Sequence, residues 1–396
     1  MTGTLPGQSH AGPAAGRRLR AGLLMLAMAA AAIAWANSPW ADIYRQLMEL
    51  PTAMRVGPLG IEKPLVLFVN DGLMAVFFLL VGVEIKREIA HGSLSNLRQA
   101  LLPVLAAAGG MLLPAVIFAT LNAGDAVAMR GWAIPCATDI AFSLVVLRLA
   151  APHAPPALYV LLAAIAVIDD LGAIVIIALF YTEQLSPVML LAALGPLIAL
   201  AVLNRRGVQQ VAPYIVAGLV LWFCVLKSGV HATLAGVVTA LALPVARARL
   251  DAPADRAEAA LDPWVYFCVL PLFALLNAGI DLRGLGLADL ASAVPLGVGV
   301  GLVAGKLAGI VLGTATATTF AGARLPAGTT WPQILAIALI AGIGFTMSIF
   351  IASLAFESAA PDLYQRAKLG ILFGSLIAAC AGALTLRRVA RGRGMP

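Results

Sequence analysis

The chain is a succession of apolar runs, separated by short polar or Gly/Pro-containing gaps. Twelve runs can be marked out, at about 19–36, 64–85, 100–121, 127–149, 156–181, 187–203, 211–226, 229–247, 262–279, 293–314, 332–356 and 366–387. About 20 apolar residues in a helix cross the hydrocarbon core of a bilayer. The pattern therefore predicts an all-α polytopic membrane protein with twelve transmembrane helices. Segments 7 and 8 meet around Lys227–Ser228 with almost no linker, so they could also be read as one long helix. Between segments 1 and 2, residues 52–63 read TAMRVGPLGIEK, with Val56 and Leu59–Ile61 flanking the turn dipeptide Gly57–Pro58. That stretch reads either as a short extracellular β-hairpin or as a plain loop. A hairpin edge invites pairing with a second copy of the chain, so the first reading would suit a homodimer.

On this scheme residues 1–18 are a cytoplasmic tail, 19–390 a single transmembrane domain and 391–396 a second cytoplasmic tail. Arg17, Arg18 and Arg20 before the run Ala21–Ala34, followed by AWA, also resemble a cleavable signal peptide. The downstream segments favour a retained first helix.

Composition removes the soluble classes. Apolar residues make up 61% and charged residues 11%, with a mean hydropathy of +0.97, against about 25% charged in soluble domains. With the N-terminus in the cytoplasm, Lys and Arg fall on the cytoplasmic side about two to one, as membrane topology expects. The formal charge of +7 is thereby explained by basic loops beside membrane lipid, and no nucleic-acid partner is expected. The four cysteines lie in apolar segments without metal or redox spacing and read as buried thiols. With only His10, His91, His153 and His231 besides, no zinc, haem or other cofactor is expected.

The chemistry is concentrated inside the apolar runs. Segment 5 contains YVLLAAIAVIDDLGAIVIIALF, with Asp169 and Asp170 near its centre. Each carboxylate at such a depth costs about 2.5–3.5 kcal/mol on insertion scales. An adjacent pair points to a site that takes up and releases protons or cations; the alternative is a buried ion pair that only joins helices. The two side chains are about 100° apart on a helix. They cannot face one direction equally, so one could ligate a cation while the other pairs with Lys306, which lies in GLVAGKLAGIVLG within segment 10.

Segment 4 carries Pro135, which interrupts the helical hydrogen-bond ladder, followed by Thr138 and Asp139, both good N-caps. Segment 11 carries Gly342 and Gly344 at its centre, which fit either close helix packing or a broken helix. Segment 4 is the middle of segments 3–5, and segment 11 the middle of segments 10–12. Breaks at corresponding places of two oppositely inserted triplets predict inverted repeats, with spans 4 and 11 discontinuous and the site at the bilayer midplane. Asp139 would compensate the two N-termini at such a crossing, and Lys306 the two C-termini or a carboxylate. At the cytoplasmic end of segment 2, Glu84, Lys86, Arg87 and Glu88 read as a solvated helix end or as a funnel that attracts cations. His231, near the outer start of segment 8, is either structural or a group that titrates in the physiological range.

Seven ordered motifs carry a specific resemblance: FFLLVGVEIKREI, ATDIAFSL, AVIDDLGAIVIIALFYT, LKSGVHATLAGV, LPLFALLNAGI, GKLAGI and AGIGFTMSIFIASLAF. Together they resemble the bacterial NhaA sodium–proton antiporters over about residues 20 to 390. The resemblance implies a multi-pass protein of the bacterial inner membrane with both termini cytoplasmic. It implies spans 4 and 11 unwound and crossing, and electrogenic exchange of cytoplasmic Na⁺ or Li⁺ for external protons in pH and sodium homeostasis. Asp170 would be the main cation and proton ligand, aided by Asp169, with Thr138 and Asp139 at the crossing and Lys306 paired with Asp169. Glu84, Arg87, Glu88 and Glu258 would belong to a cytoplasmic pH-responsive region, to which His231 is added here, and the hairpin at 52–63 would be the dimer contact. Ala259 and Asp262 stand where the family's familiar pattern has histidines, and Ala341 where it has a Cys, so the pH profile is expected to depart from the family's.

Three rival classes remain at this point. A proton-coupled transporter of an organic solute would need a larger polar cavity than these segments suggest. An intramembrane aspartyl protease could form a dyad from Asp139 and Asp170, but the GxGD pattern is absent and Lys306 has no part in it. A channel would need neither broken repeats nor titrating carboxylates. The reading is a secondary active transporter, not an enzyme.

Overall fold

The computed structural model describes residues 13–56, 59–92, 94–182, 185–245, 252–283 and 286–391. Helices α1 (Pro13–Ala36) and α2 (Ala41–Glu49) precede two antiparallel strands, β1 (Pro51–Val56) and β2 (Leu59–Pro64). Then follow α3 (Leu65–His91), α4 (Leu97–Leu121), α5 (Ile140–Ala150), α6 (Pro156–Phe180), α7 (Pro187–Arg205), α8 (Ala212–Ser228) and α9 (Thr233–Ala242). The rest is α10 (Pro253–Trp264), α11 (Leu270–Asn277), α12 (Leu287–Leu290), α13 (Ala293–Val300), α14 (Lys306–Thr319), α15 (Trp331–Ile340), α16 (Phe345–Ala352) and α17 (Pro361–Arg391). Among the described residues, 8 helical stretches are long and apolar enough to cross a membrane, or 10 if each of two bent pairs is one span. The protein is thus a mostly helical, multi-pass membrane protein. Helices α8 and α9 are apolar but shorter.

The strands pair from Pro51 opposite Pro64 to Val56 opposite Leu59; the Gly57–Pro58 turn lies outside the described residues. Helix α2 was not legible as a separate segment. Its Tyr44 hydroxyl donates to the carbonyls of Leu275 and Leu276 at 2.8 and 3.0 Å, and burial pushes the phenol up to about 12. The helix that carries the apolar run expected from 262 begins earlier, at Pro253. Proline suits the first turn of a helix, where its missing N–H is not needed, and Asp255 accepts from the Ala252 N–H at 3.3 Å. Glu258 therefore lies inside a helix. All four cysteines are free, but only Cys136 and Cys224 are buried. Cys268 and Cys380 are exposed, on helices that have an apolar outer face for lipid, so burial was the wrong expectation for those two.

By internal contacts the chain forms two units. One comprises the described residues up to 24, 96–173 and those from 280 onward; the other comprises 25–95 and 174–279. In the second unit α9 lies close on α3, because a side chain on Gly236 would strike the Ala75 carbonyl. Gly229, at φ 83°, takes the left-handed conformation that separates α8 from α9. Leu200, Tyr214, Leu221, Ala240 and Leu243 belong to the core where α7, α8 and α9 meet. Asn70 of α3 and Asn277 of α11 exchange side-chain amide hydrogen bonds at 2.7 and 2.8 Å, which satisfies two buried polar groups.

In the first unit α4 and α14 meet through glycine. A Cβ on either Gly109 or Gly309 would strike the other's carbonyl, and one on Gly313 would strike that of Leu105. Lipid tails are as apolar as leucine, so helices in a membrane associate through close packing of this kind rather than through hydrophobic burial.

Candidate functional site: two broken helices and a buried ion pair

Both apolar stretches with central breakers are bent, by 43° between Ala128–Cys136 and Ile140–Ala150, and by 44° between Trp331–Ile340 and Phe345–Glu357. In the first, Pro135 sits in a single 3₁₀ turn, Ile134–Cys136. Ala137 then runs extended at φ −82°, ψ 149° and Asp139 caps α5. In the second, Ala341–Gly344 separate α15 from α16.

Each break leaves backbone donors and acceptors without helical partners, and the two breaks supply one another. The Asp139 N–H donates to the Ile343 carbonyl at 2.7 Å. One oxygen of the Asp139 carboxylate accepts from the Phe142 N–H at 3.0 Å. The other accepts from the Thr346 N–H at 3.1 Å and from the Thr346 hydroxyl. A single carboxylate thereby caps the N-termini of α5 and α16, where both helix dipoles are positive. Carbonyls at the opposite ends are met by hydroxyls: Ser143 Oγ donates to Ile340 O at 3.1 Å and Ser348 Oγ to Ile134 O at 2.8 Å. Gly342 and Gly344 allow the approach. A Cβ on Gly342 would strike the Leu302 carbonyl of the neighbouring helical stretch, and one on Gly344 would lie 3.1 Å from Ala137 O.

Lys306 and Asp169 join this crossing. The Lys306 Nζ lies 2.5 Å from Asp169 Oδ2, and both side chains are 0% exposed. A five-residue π-helical turn, Gly301–Gly305, immediately precedes Lys306. A side chain on Gly301 would meet Pro135, and one on Gly305 would come within 2.9 Å of the Pro114 Cα. The turn therefore runs against the broken stretch of Pro135. A buried ammonium is tolerated only with a close, hydrogen-bonded counter-charge, which Asp169 supplies.

The Thr138 hydroxyl lies 2.6 Å from Asp169 Oδ2 and 2.8 Å from the Ala341 carbonyl. It has one hydrogen and two acceptors in reach. If Asp169 carries a proton, it can donate to Thr138 while the hydroxyl donates to Ala341. If Asp169 is ionised, the hydroxyl must choose. The Thr138 hydroxyl thus links Asp169 to the backbone of the second break. Asp169 Oδ1 accepts no hydrogen bond among the described residues. Asp170, the next residue on α6, is buried at 1% exposure and points about 100° away.

The remaining charged residues form a separate cluster in the other unit. Arg87 of α3 forms an ion pair with Glu258 of α10, and its Nε lies 3.6 Å from Asp255 Oδ1. Lys86 Nζ donates to the carbonyls of Leu241 and Leu243 at 2.7 and 2.5 Å, capping the end of α9. Glu84 and Glu88 lie on the same last turns of α3, Glu88 with its carboxylate over Gly92. His231 is not in this cluster. It stands at the opposite end of α9, with Nδ1 3.2 Å from the Thr233 hydroxyl. Sequence reasoning missed Asp255, Ser143, Thr346 and Ser348. Pro253 with Asp255 two residues on was a helix-start signal for the first. No local signal distinguished the other three.

A family model described as Na⁺/H⁺ antiporter 1 matches residues 15–386 of the chain. The chain belongs to this family. Its curated relatives include the Na(+)/H(+) antiporter NhaA of Albidiferax ferrireducens, 50% identical over 368 residues, covering 92% of this chain and 93% of that protein. Also among them are NhaA of Rhodospirillum rubrum, 50% identical over 377 residues (93% and 94%), and NhaA 1 of Klebsiella pneumoniae subsp. pneumoniae, 51% over 368 residues (93% and 93%). Membership makes the chain an NhaA-type, membrane-embedded antiporter-family protein, and it removes the protease reading, since this is a transporter family rather than a catalytic one.

Proposed function

We propose that this protein exports cytoplasmic Na⁺, or Li⁺, in exchange for a larger number of external protons, through competition at Asp169 and Asp170. The observation that carries the reading is the buried Asp169–Lys306 pair at the junction of two broken helices, beside a second buried carboxylate. A carboxylate binds either a proton or a hard cation that prefers oxygen ligands. Asp169 is engaged by Lys306 and Thr138, and Asp170 takes the larger share in holding the cation, as the family resemblance implies. Cytoplasmic alkalinity strips protons from the pair and admits Na⁺; external protons displace it after a conformational switch. Two protons returning for one Na⁺ move one net charge, and the membrane potential then contributes about 2.3 kcal/mol per 100 mV.

The same reading extends to the architecture. The two bent pairs and the shorter helices α8 and α9 bring the crossings to twelve, with inverted repeats around the two breaks and both termini cytoplasmic in the bacterial inner membrane. The Glu84, Arg87, Glu88 and Glu258 region faces the cytoplasm as a pH-responsive element, and the β1–β2 pair joins two copies at the outer face. Homeostasis of pH and sodium is the role this activity serves.

The test is proton flux in inside-out vesicles from a host lacking its own antiporters. A pH-sensitive dye follows dissipation of a preformed gradient after addition of NaCl, LiCl or KCl, from neutral to alkaline pH. Dequenching by Na⁺ and Li⁺ but not K⁺ is expected, and it should vanish in Asp170→Asn while the variant stays folded in the membrane. Undiminished Na⁺-dependent flux in Asp170→Asn would remove the site assignment.

A further inference from the structure

Helix α2 is too short to cross a bilayer. Its 9 residues extend about 13 Å, against about 30 Å of hydrocarbon. It lies in the connection between α1 and α3, both long and apolar enough to span. The end of one span and the start of the next open on the same face of the membrane, so α2 stays at that face.

Its depth is set by its contacts. The Tyr44 ring packs on Trp35 in the last turn of α1, with centroids 5.4 Å apart. The Tyr44 hydroxyl donates to the carbonyls of Leu275 and Leu276, at the end of the spanning stretch Pro253–Asn277. The Leu65 N–H, at the start of α3, donates to the Leu50 carbonyl at 2.9 Å. Helix α2 is therefore level with three span ends, where hydrocarbon gives way to headgroups. Asn37 Nδ2 and Ser38 Oγ mark the same boundary, capping α1 by donating to the carbonyls of Ile33 and Trp35 at 2.7 and 2.8 Å.

The helix has three faces. Ala41 and Tyr44 are buried and Met48 is half-buried, against the protein. Asp42, Arg45, Gln46 and Glu49 are polar and exposed. Ile43 and Leu47, one turn apart, are also exposed, and Trp40 and Leu50 extend their row at either end. At about 100° per residue, the exposed apolar pair lies roughly 110° round from the buried face, and the polar residues fill the remaining arc. Trp40 and Ile43 keep 67% and 56% of their surface uncovered. One face on protein, one in water and one apolar is the division that a helix at the edge of a bilayer requires. A Trp at its end suits that level, where the ring meets acyl chains and the N–H meets headgroups. Ala27, Ala30, Ala31 and Ala34 are exposed on the spanning helix α1, so the chain passes from a lipid-facing helix into this row through the short turn at 37–39.

We infer that α2 is an interfacial helix, whose Trp40, Ile43, Leu47 and Leu50 side chains insert into the boundary between lipid headgroups and acyl chains. The partner of this face is the bilayer itself. A second copy of the chain is the rival occupant, but a row of four side chains falls short of the about 800 Å² a side that a standard protein interface buries. Because Leu50 leads directly into β1, the anchored helix also sets the height of the strands at the membrane surface. The inference concerns lipid contact and is independent of the transport reaction.

The experiment uses full-length protein carrying Cys268→Ala and Cys380→Ala, which remove the two exposed thiols, in vesicles of phosphatidylethanolamine and phosphatidylglycerol. A nitroxide is attached in turn to Ile43→Cys, Leu47→Cys and Gln46→Cys. Its collisions with oxygen, which partitions into lipid, are compared with those with a water-soluble nickel chelate. The ratio of oxygen to nickel collisions should lie above one for Ile43→Cys and Leu47→Cys and below one for Gln46→Cys. A ratio for the first two no higher than for Gln46→Cys would put the apolar row in water. Protection from both reagents would mean that a second copy covers it. Either result overturns the inference. Ile43 and Leu47 share a face, so one of them decides the matter if the other variant fails to fold.

Discussion

At the scale of single residues, the decisive quantity is the cost of keeping a charge away from water. Lys306 and Asp169 are each tolerable only because the other is there. Removing one partner of a buried pair costs about 3–5 kcal/mol, whereas removing both is often close to neutral. Lys306→Ala should therefore lower the unfolding temperature clearly, and the double variant Lys306→Ala/Asp169→Asn should recover most of the loss. Thermal unfolding in detergent, read as a double-mutant cycle, checks this. A double variant no more stable than Lys306→Ala would mean that the ammonium is needed for packing rather than charge. At this scale much was legible in advance. Thr138, Asp139, Asp169 and Lys306 were each flagged by their cost or by a neighbouring breaker, and they do lie within hydrogen-bond reach of one another or of the same break. Their partners were not legible. Thr346 meets Asp139 across 207 positions of sequence, and an isolated Thr in an apolar run carries no sign of that.

At the scale of elements, glycine governs how near helices come. The carbonyls of Gly109 and Gly309 each occupy the space where a side chain on the other would be. Gly309→Val should push α14 off α4 and destabilise the protein by about 1–3 kcal/mol, the usual range for overpacking. Because Lys306 is one turn away on the same helix, transport should fall as well. Gly16→Ala, at a position with open space, is the control, and a Gly309→Val protein as stable as that control would argue against close packing here. The π-helical turns at Val265–Val269, Gly301–Gly305 and Ser353–Glu357 escaped the sequence reading. An apolar run with one extra residue in a turn has the same composition as one without it.

At the scale of the whole molecule, the proposed dimer depends on a small element with ties to its own chain. Lys63 of β2 pairs with Asp71 at 2.9 Å, and Lys227 donates to the Gly60 carbonyl, so the strands are held in place against their own chain. Replacing residues 51–64 by a short Gly/Ser linker should convert a dimer into a monomer in size-exclusion chromatography with light scattering. Na⁺-driven proton flux should persist, because the linker touches none of the crossing residues. A dimer that survives the replacement would place the contact elsewhere. The division of the chain into two units was not legible either. Each unit is assembled from segments far apart in sequence, and hydropathy records only that a segment is apolar, not which neighbour it packs against.

The turn ahead of Lys306 has a consequence for how such a site can change over time. A π-helical turn is an α-helix with one surplus residue, and each residue rotates whatever follows by about 100°. The wide turn absorbs its surplus residue, so losing one residue from Leu302–Ala304 would close it into plain α-helix and leave the ammonium near its present bearing. Losing one residue from the regular helix of α13 instead would swing Lys306 by about 100° away from Asp169. Chain length ahead of this charge is therefore forgiving at one turn and exacting at the next.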